Sequence, residues 1–171
     1  MSRDEPTDPE EPEPSSQHAL IVDISWDEAV VRSDWCSDTA IATAVRTAAS
    51  HRRFCRGAIG VRVATDPAIH EVNAKYLEHD YPTDVISFPY EADGEHVEGE
   101  LIVSVDHASK EADHHGVPAV NELLLYVVHG TLHICGLDDQ NKVDRDVMRS
   151  AESAVMNQLK IVDGAWQEAT R

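Results

Sequence analysis

Three things are scarce in this chain: long apolar runs, paired cysteines and positive charge. No apolar stretch among its 171 residues reaches the roughly 18–20 needed to cross a bilayer, which excludes a helical membrane protein. Residues 1–17 are acidic and rich in proline, the reverse of a secretory leader, so a cytoplasmic location is expected. The three cysteines, Cys36, Cys55 and Cys135, are odd in number and form no CxxC pair, which argues against a disulfide framework and against a thiolate zinc knuckle. Cys135 lies in a strongly apolar run and reads as a small packed residue rather than a nucleophile. The net charge of −18 argues against a protein that coats phosphate backbones without selectivity.

Acidic residues are themselves missing from one stretch. Between Thr39 and Thr65 there is no Asp or Glu, while Arg46, Arg52, Arg53, Arg56 and Arg62 are present. Some of these can complement the negative end of a helix. Together they can also form a basic patch on an acidic body, able to hold a phosphate chain. Internal repeats are absent as well.

What is present reads as one acidic tail and one folded domain. Residues 1–17 offer almost nothing to bury and are expected to be disordered. Residues 18–171 are expected to form a single metal-binding catalytic domain. Strands are expected over 18–24, 57–64, 84–88 and 100–105, from short apolar or alternating runs. Helices are expected over 39–52 with Asp38 as cap, over 66–77 with Pro67 in the first turn, and over 107–114. Two more are expected over 118–135, ended by Gly136, and over 141–159. The acidic segment from Tyr90 to Gly99 reads as an exposed loop. Val143, Met148, Ala151, Ala154, Val155 and Leu159 mark one stripe of the last helix. The stretch Leu123 to Val128 is apolar on every side, which places its helix at the centre of the fold. The fold class is therefore α+β: a small four-stranded mixed sheet packed with about five helices.

The segment His129-Gly-Thr-Leu-His133-Ile-Cys-Gly136-Leu-Asp-Asp139 carries the chemistry. Residues four apart on a helix differ by about 40° around the axis, so both imidazoles can converge on one ion. Gly136 lets the chain turn out of the helix in a left-handed conformation and bring Asp139 back beneath them. Two nitrogens and one carboxylate leave a fourth tetrahedral position for water, as in catalytic zinc sites. The spacing is of the HxxxHxxGxx[H/D] type, and Asp138 is the alternative to Asp139. Zinc peptidases with this spacing place a glutamate after the first histidine. Here that position is Gly130, which disfavours peptide hydrolysis.

With these residues in place, the chain resembles the YbeY endoribonucleases. The family pattern HGxLHLxGYDH is matched by HGTLHICGLDD. An asparagine followed by PTDVLSFP is matched by Asn73 and then Pro82-Thr83-Asp84-Val85-Ile86-Ser87-Phe88-Pro89, and GDIVIS by Gly99-Glu100-Leu101-Ile102-Val103-Ser104. The resemblance implies a cytoplasmic, zinc-dependent endoribonuclease that prefers single strands, with one zinc ion per chain. It implies ribosomal RNA and the small ribosomal subunit as partners, in 3′-end maturation and ribosome quality control. His129 and His133 match zinc ligands directly; the family's third histidine is Asp139 here. An arginine common in the family is replaced by Leu77. Arg52, Arg53, Arg56 and Lys75 are the candidate RNA-binding cations. The different reading left open is a non-catalytic, zinc-containing ribosome-assembly factor.

Overall fold

The computed structural model of the protein describes residues 19–161, so the acidic segment 1–17 lies outside the described residues. The chain runs through β1 (Ile21–Trp26), α1 (Asp38–His51), β2 (Arg56–Ala64), α2 (Asp66–Leu77), β3 (Val85–Asp93), β4 (His96–Ser104), α3 (Val105–His115), α4 (Ala119–Ile134) and α5 (Lys142–Gln158). The sheet order is β1-β2-β4-β3. β1, β2 and β4 are parallel, and β3 is antiparallel to β4, so the sheet is mixed as expected.

Alternation along the strands assigns the two sheet faces. Ile59, Val61 and Val63 of β2 and Val97, Leu101 and Val103 of β4 point into the main core, where α1, α4 and α5 pack. Ala64, Ile86 and Ile102 point to the other face, where α2 covers them with Ile69. α4 is the central helix. Ten of its sixteen residues are buried, among them Leu123, Leu124, Tyr126, Val127 and Val128 of the all-round apolar stretch. Its buried Thr131 hydroxyl donates to the Val127 carbonyl within the same helix.

Three local expectations are corrected. The helix cap before α1 is Ser37, whose side chain accepts from the Ala40 amide. Asp38 instead accepts hydrogen bonds from the Trp26 indole and from Arg32. The segment from Tyr90 to Gly99 is a β-hairpin rather than a loop. Its β3 arm runs beyond the cover of the helices, so Glu91, Ala92 and Asp93 are exposed and show no apolar alternation. Gly94 turns it with φ +56°, a conformation that glycine adopts without penalty. On α5 the buried side is Met148, Ala151, Val155 and Met156, while Val143 and Ala154 face outward.

Candidate metal centre

His129 and His133 project from consecutive turns at the C-terminal end of α4. The helix is stopped by a two-bond reversal: the Gly136 amide donates to the His133 carbonyl and the Leu137 amide to the Leu132 carbonyl. Gly136 has φ +89°, the left-handed exit that its place after the helix anticipated. The reversal brings Asp139 back to the histidines. Its Oδ2 lies 3.7 Å from Nε2 of His129 and 3.7 Å from Nε2 of His133. Asp138 is turned away and accepts the Asp139 amide at 2.7 Å. Arg145 steadies the turn by donating to the carbonyls of Asp139 and Gln140.

The donor set fits a small divalent ion. Tetrahedral coordination at about 2.0–2.1 Å places ligand atoms roughly 3.3 Å apart. The observed triangle is 3.0 Å between the two Nε2 atoms and 3.7 Å from each to Asp139. Protonation follows from the other ring nitrogen. His133 Nδ1 faces the Leu137 carbonyl at 2.9 Å, and a carbonyl only accepts. The neutral ring therefore keeps its proton on Nδ1 and presents a bare lone pair at Nε2. A second imidazole nitrogen 3.0 Å from that lone pair, with a carboxylate beside both, is an electrostatic arrangement that a cation relieves.

Glu152 of α5 was not anticipated. Its Oε1 lies 2.5 Å from His129 Nδ1, and both side chains are largely buried. Burial lowers the His129 pKa, but the hydrogen bond and charge of Glu152, helped by Asp84 and Asp139, outweigh it and raise the value above that of an ordinary histidine. Nothing in the local sequence marks Glu152; only its place on the inward side of α5, near Met148 and Val155, hints at it.

The neighbouring residues explain what the site is not. A Cβ on Gly130 would lie 2.9 Å from Val85 Cγ2 and 3.0 Å from Ser87 Oγ. The position faces the sheet, so a peptidase-type glutamate has no room there. Cys135 is buried, which pushes its thiol up to about 12 and leaves it unreactive, as its apolar setting suggested. Asp84 braces the strand entry: its side chain accepts from Thr83 Oγ1 and the Val85 amide. Ser104 is a satisfied core residue that caps α3 and donates to Asp66. A second set of possible ligands, Glu91, His96 and Glu98, lies on the β3–β4 hairpin, with His96 Nε2 already hydrogen-bonded to Glu98.

The candidate RNA-binding cations divide into two places. Arg52, Arg53 and Arg56 are exposed; the first two follow α1 and Arg56 opens β2, where it pairs with Glu95 at 3.4 Å. Arg52 borders, with Leu137, a groove of about 430 Å³ between α1 and α5, and so lies next to the metal-site reversal. Lys75 is on α2, across the sheet, 5.0 Å over the Tyr76 ring. Tyr76 is 61% exposed and meets Phe88 edge-on rather than entering the core.

The chain is similar to known proteins along most of its length. A family model described as Endoribonuclease YbeY matches residues 28–160. A protein named Endoribonuclease YbeY from Rhodopirellula baltica is 49% identical over 131 residues, covering 74% of this chain and 68% of its own. Another of that name, from Desulfitobacterium hafniense, is 30% identical over 159 residues, covering 84% and 99%. A solution structure of a Thermotoga maritima protein superposes with a TM-score of 0.56 at 21% identity, covering 82% of this chain and 92% of that one, a likeness of fold.

Proposed function

The chain belongs to the YbeY endoribonuclease family, and from that premise we propose that this RNA-hydrolysing enzyme is zinc-dependent and matures the 3′ end of small-subunit ribosomal RNA. The observation that carries the metal reading is the convergence of His129, His133 and Asp139, with two Nε2 atoms 3.0 Å apart. One zinc ion per chain, ribosome quality control, the small ribosomal subunit as partner and the cytoplasm as location belong to the same reading. No helix among the described residues is long and apolar enough to cross a membrane.

A divalent ion bound there supplies Lewis acidity toward a phosphodiester and activates water near neutral pH. The protein's own part is to hold that ion at an open edge. In their neutral forms His129 and His133 would each offer an Nε2 lone pair to the ion, and Asp139 an oxygen. The Leu137 carbonyl keeps the His133 proton away from the pocket. Arg52, Arg53 and Arg56 supply contacts to the phosphate chain beside the site, and Lys75 a separate one across the sheet. A single strand suits this layout, because unstacked nucleotides can approach a site that lies at a helix end.

A non-catalytic assembly role is favoured by one observation. Leu77 is 42% exposed and offers no charge to a phosphate group. The two readings separate on cleavage of a labelled single-stranded RNA by wild type and His133→Ala, purified side by side with metal content assayed. Cleavage by the wild type and none by the variant is expected. Equal cleavage by both would mark a contaminant; that result, or no cleavage by a zinc-loaded wild type on ribosome-bound as well as free RNA, would put the assembly role first.

A further inference from the structure

Each metal-facing histidine needs an acceptor for its Nδ1 proton, and the two acceptors differ in kind. His133 uses the Leu137 carbonyl, which belongs to the reversal that ends its own helix. His129 uses Glu152, 23 residues later on a different helix. In the other tautomer His129 would carry its proton on Nε2 and aim it at the spot where His133 Nε2 and Asp139 converge. That nitrogen would then have no lone pair to give.

We infer that Glu152 is a positioning residue for the metal centre. It holds His129 in the one tautomer and ring orientation that leaves Nε2 free, and it places a second negative charge behind the His129 ring. The inference rests on the metal reading of His129, His133 and Asp139. Three observations carry it. The contact is short, at 2.5 Å, and it is shielded, with side-chain exposures of 22% for His129 and 16% for Glu152. The acceptor is an anion, which strengthens the bond and makes the far nitrogen a better donor to a cation. The carboxylate also ties α5 to α4 at the candidate site, so each ring is held at its Nδ1, His129 by Glu152 and His133 by the Leu137 carbonyl.

The consequence is a ranking of variants in zinc affinity. Glu152→Gln keeps an acceptor oxygen for the Nδ1 proton but removes the charge. Glu152→Ala removes both. Loss of such a partner costs on the order of 10–100-fold in metal affinity, so the alanine variant should sit in that range and the glutamine variant between it and wild type. The measurement is zinc titration of the full chain against a chromophoric chelator, with the melting temperature of the metal-free proteins recorded in parallel. A purely structural role would lower that melting temperature and leave the affinity of the folded fraction alone. The visible spectrum of the Co²⁺-loaded proteins supplies a second readout, since a reoriented His129 changes the ligand field. Folded variants that bind zinc within about twofold of wild type would overturn the inference. If Glu152→Ala does not fold, Glu152→Gln decides by the same limit. A wild type that binds no zinc would overturn the metal reading itself, a result distinguishable from variants that match a zinc-binding wild type.

Discussion

Replacing Gly99 by alanine tests whether the close approach of α4 to the sheet sets both stability and the metal site. Gly99 is buried on β4 opposite Pro89, beneath the last turn of α4. A Cβ there would lie 2.7 Å from Ile134 Cγ2, 2.8 Å from the Phe88 carbonyl oxygen and 3.1 Å from Ile134 Cδ1. Ordinary carbon contacts are about 3.5–4.0 Å, so α4 or β3 must give by roughly 0.8 Å. Alanine would gain about 0.5–1 kcal/mol from restricting the unfolded chain. Overpacking of this kind costs about 1–3 kcal/mol, and one of the two closest atoms is backbone, which cannot rotate away. The clash therefore wins, with a net loss of about 1–2 kcal/mol and a fall in melting temperature of roughly 3–6 °C. Ile134 directly follows His133, so the displacement reaches the candidate metal site, and on the proposed zinc reading the affinity for zinc should fall with stability. Thermal unfolding with and without zinc checks both. Combining Gly99→Ala with Ile134→Ala should show a favourable coupling of about 1 kcal/mol, because the second change removes the atoms that collide. A Gly99→Ala protein that melts at or above the wild-type temperature would refute the reasoning.

Two further expectations follow from charge. Burial first, with Glu111 and Asp84 adding and His115 opposing, raises the Glu122 pKa above its usual 4.5. Its carboxylate form is thus disfavoured in the folded state, so this contribution to stability is intact below the unfolded value and lost as pH rises through the folded one. Glu122→Gln should be more stable than wild type at pH 8 and nearly equal to it at pH 4; equal melting temperatures at both pH values would contradict this. Neutralising Arg52, Arg53 and Arg56 together should weaken RNA binding and flatten its salt dependence, by up to about 2 in the log–log slope for three lost phosphate contacts on a single strand. Zinc binding should be unchanged, and an unaltered slope would remove the three arginines from the RNA path.

Local sequence carried the elements wherever one physical signal dominated. The all-round apolar stretch from Leu123 to Val128 announced a central helix, because only complete burial makes such a sequence tolerable in water. The β3–β4 hairpin was hidden for the opposite reason. Its β3 arm and turn are exposed, so hydrogen bonding across the strands, and not apolar alternation, holds them, and on the β4 arm Val97 is the one fully buried side chain among exposed and half-exposed neighbours. Asp93-Gly94 was the available turn signal. Ser37 rather than Asp38 became the α1 cap because Asp38 found stronger partners in Trp26 and Arg32, which lie on other segments.

The site divides along the same line. His129, His133, Gly136 and Asp139 fall within eleven residues, so helix geometry and one left-handed turn suffice to bring them together. The second acceptor of the pair, Leu137, is equally local but invisible as a residue type, because its backbone does the work. Glu152 needs α5 to pack on α4 in one rotation and one register, and neither is encoded near His129. The glycines illustrate the same limit. Gly130 and Gly99 look like departures from good helix and strand composition when read alone. Their reason is the gap each leaves for a facing element: Gly130 for Val85 and Ser87 of β3, Gly99 for Ile134 of α4. The candidate ligands can therefore be brought together from spacing alone, whereas the surface that holds them still is a property of the packed interface between α4 and its neighbours.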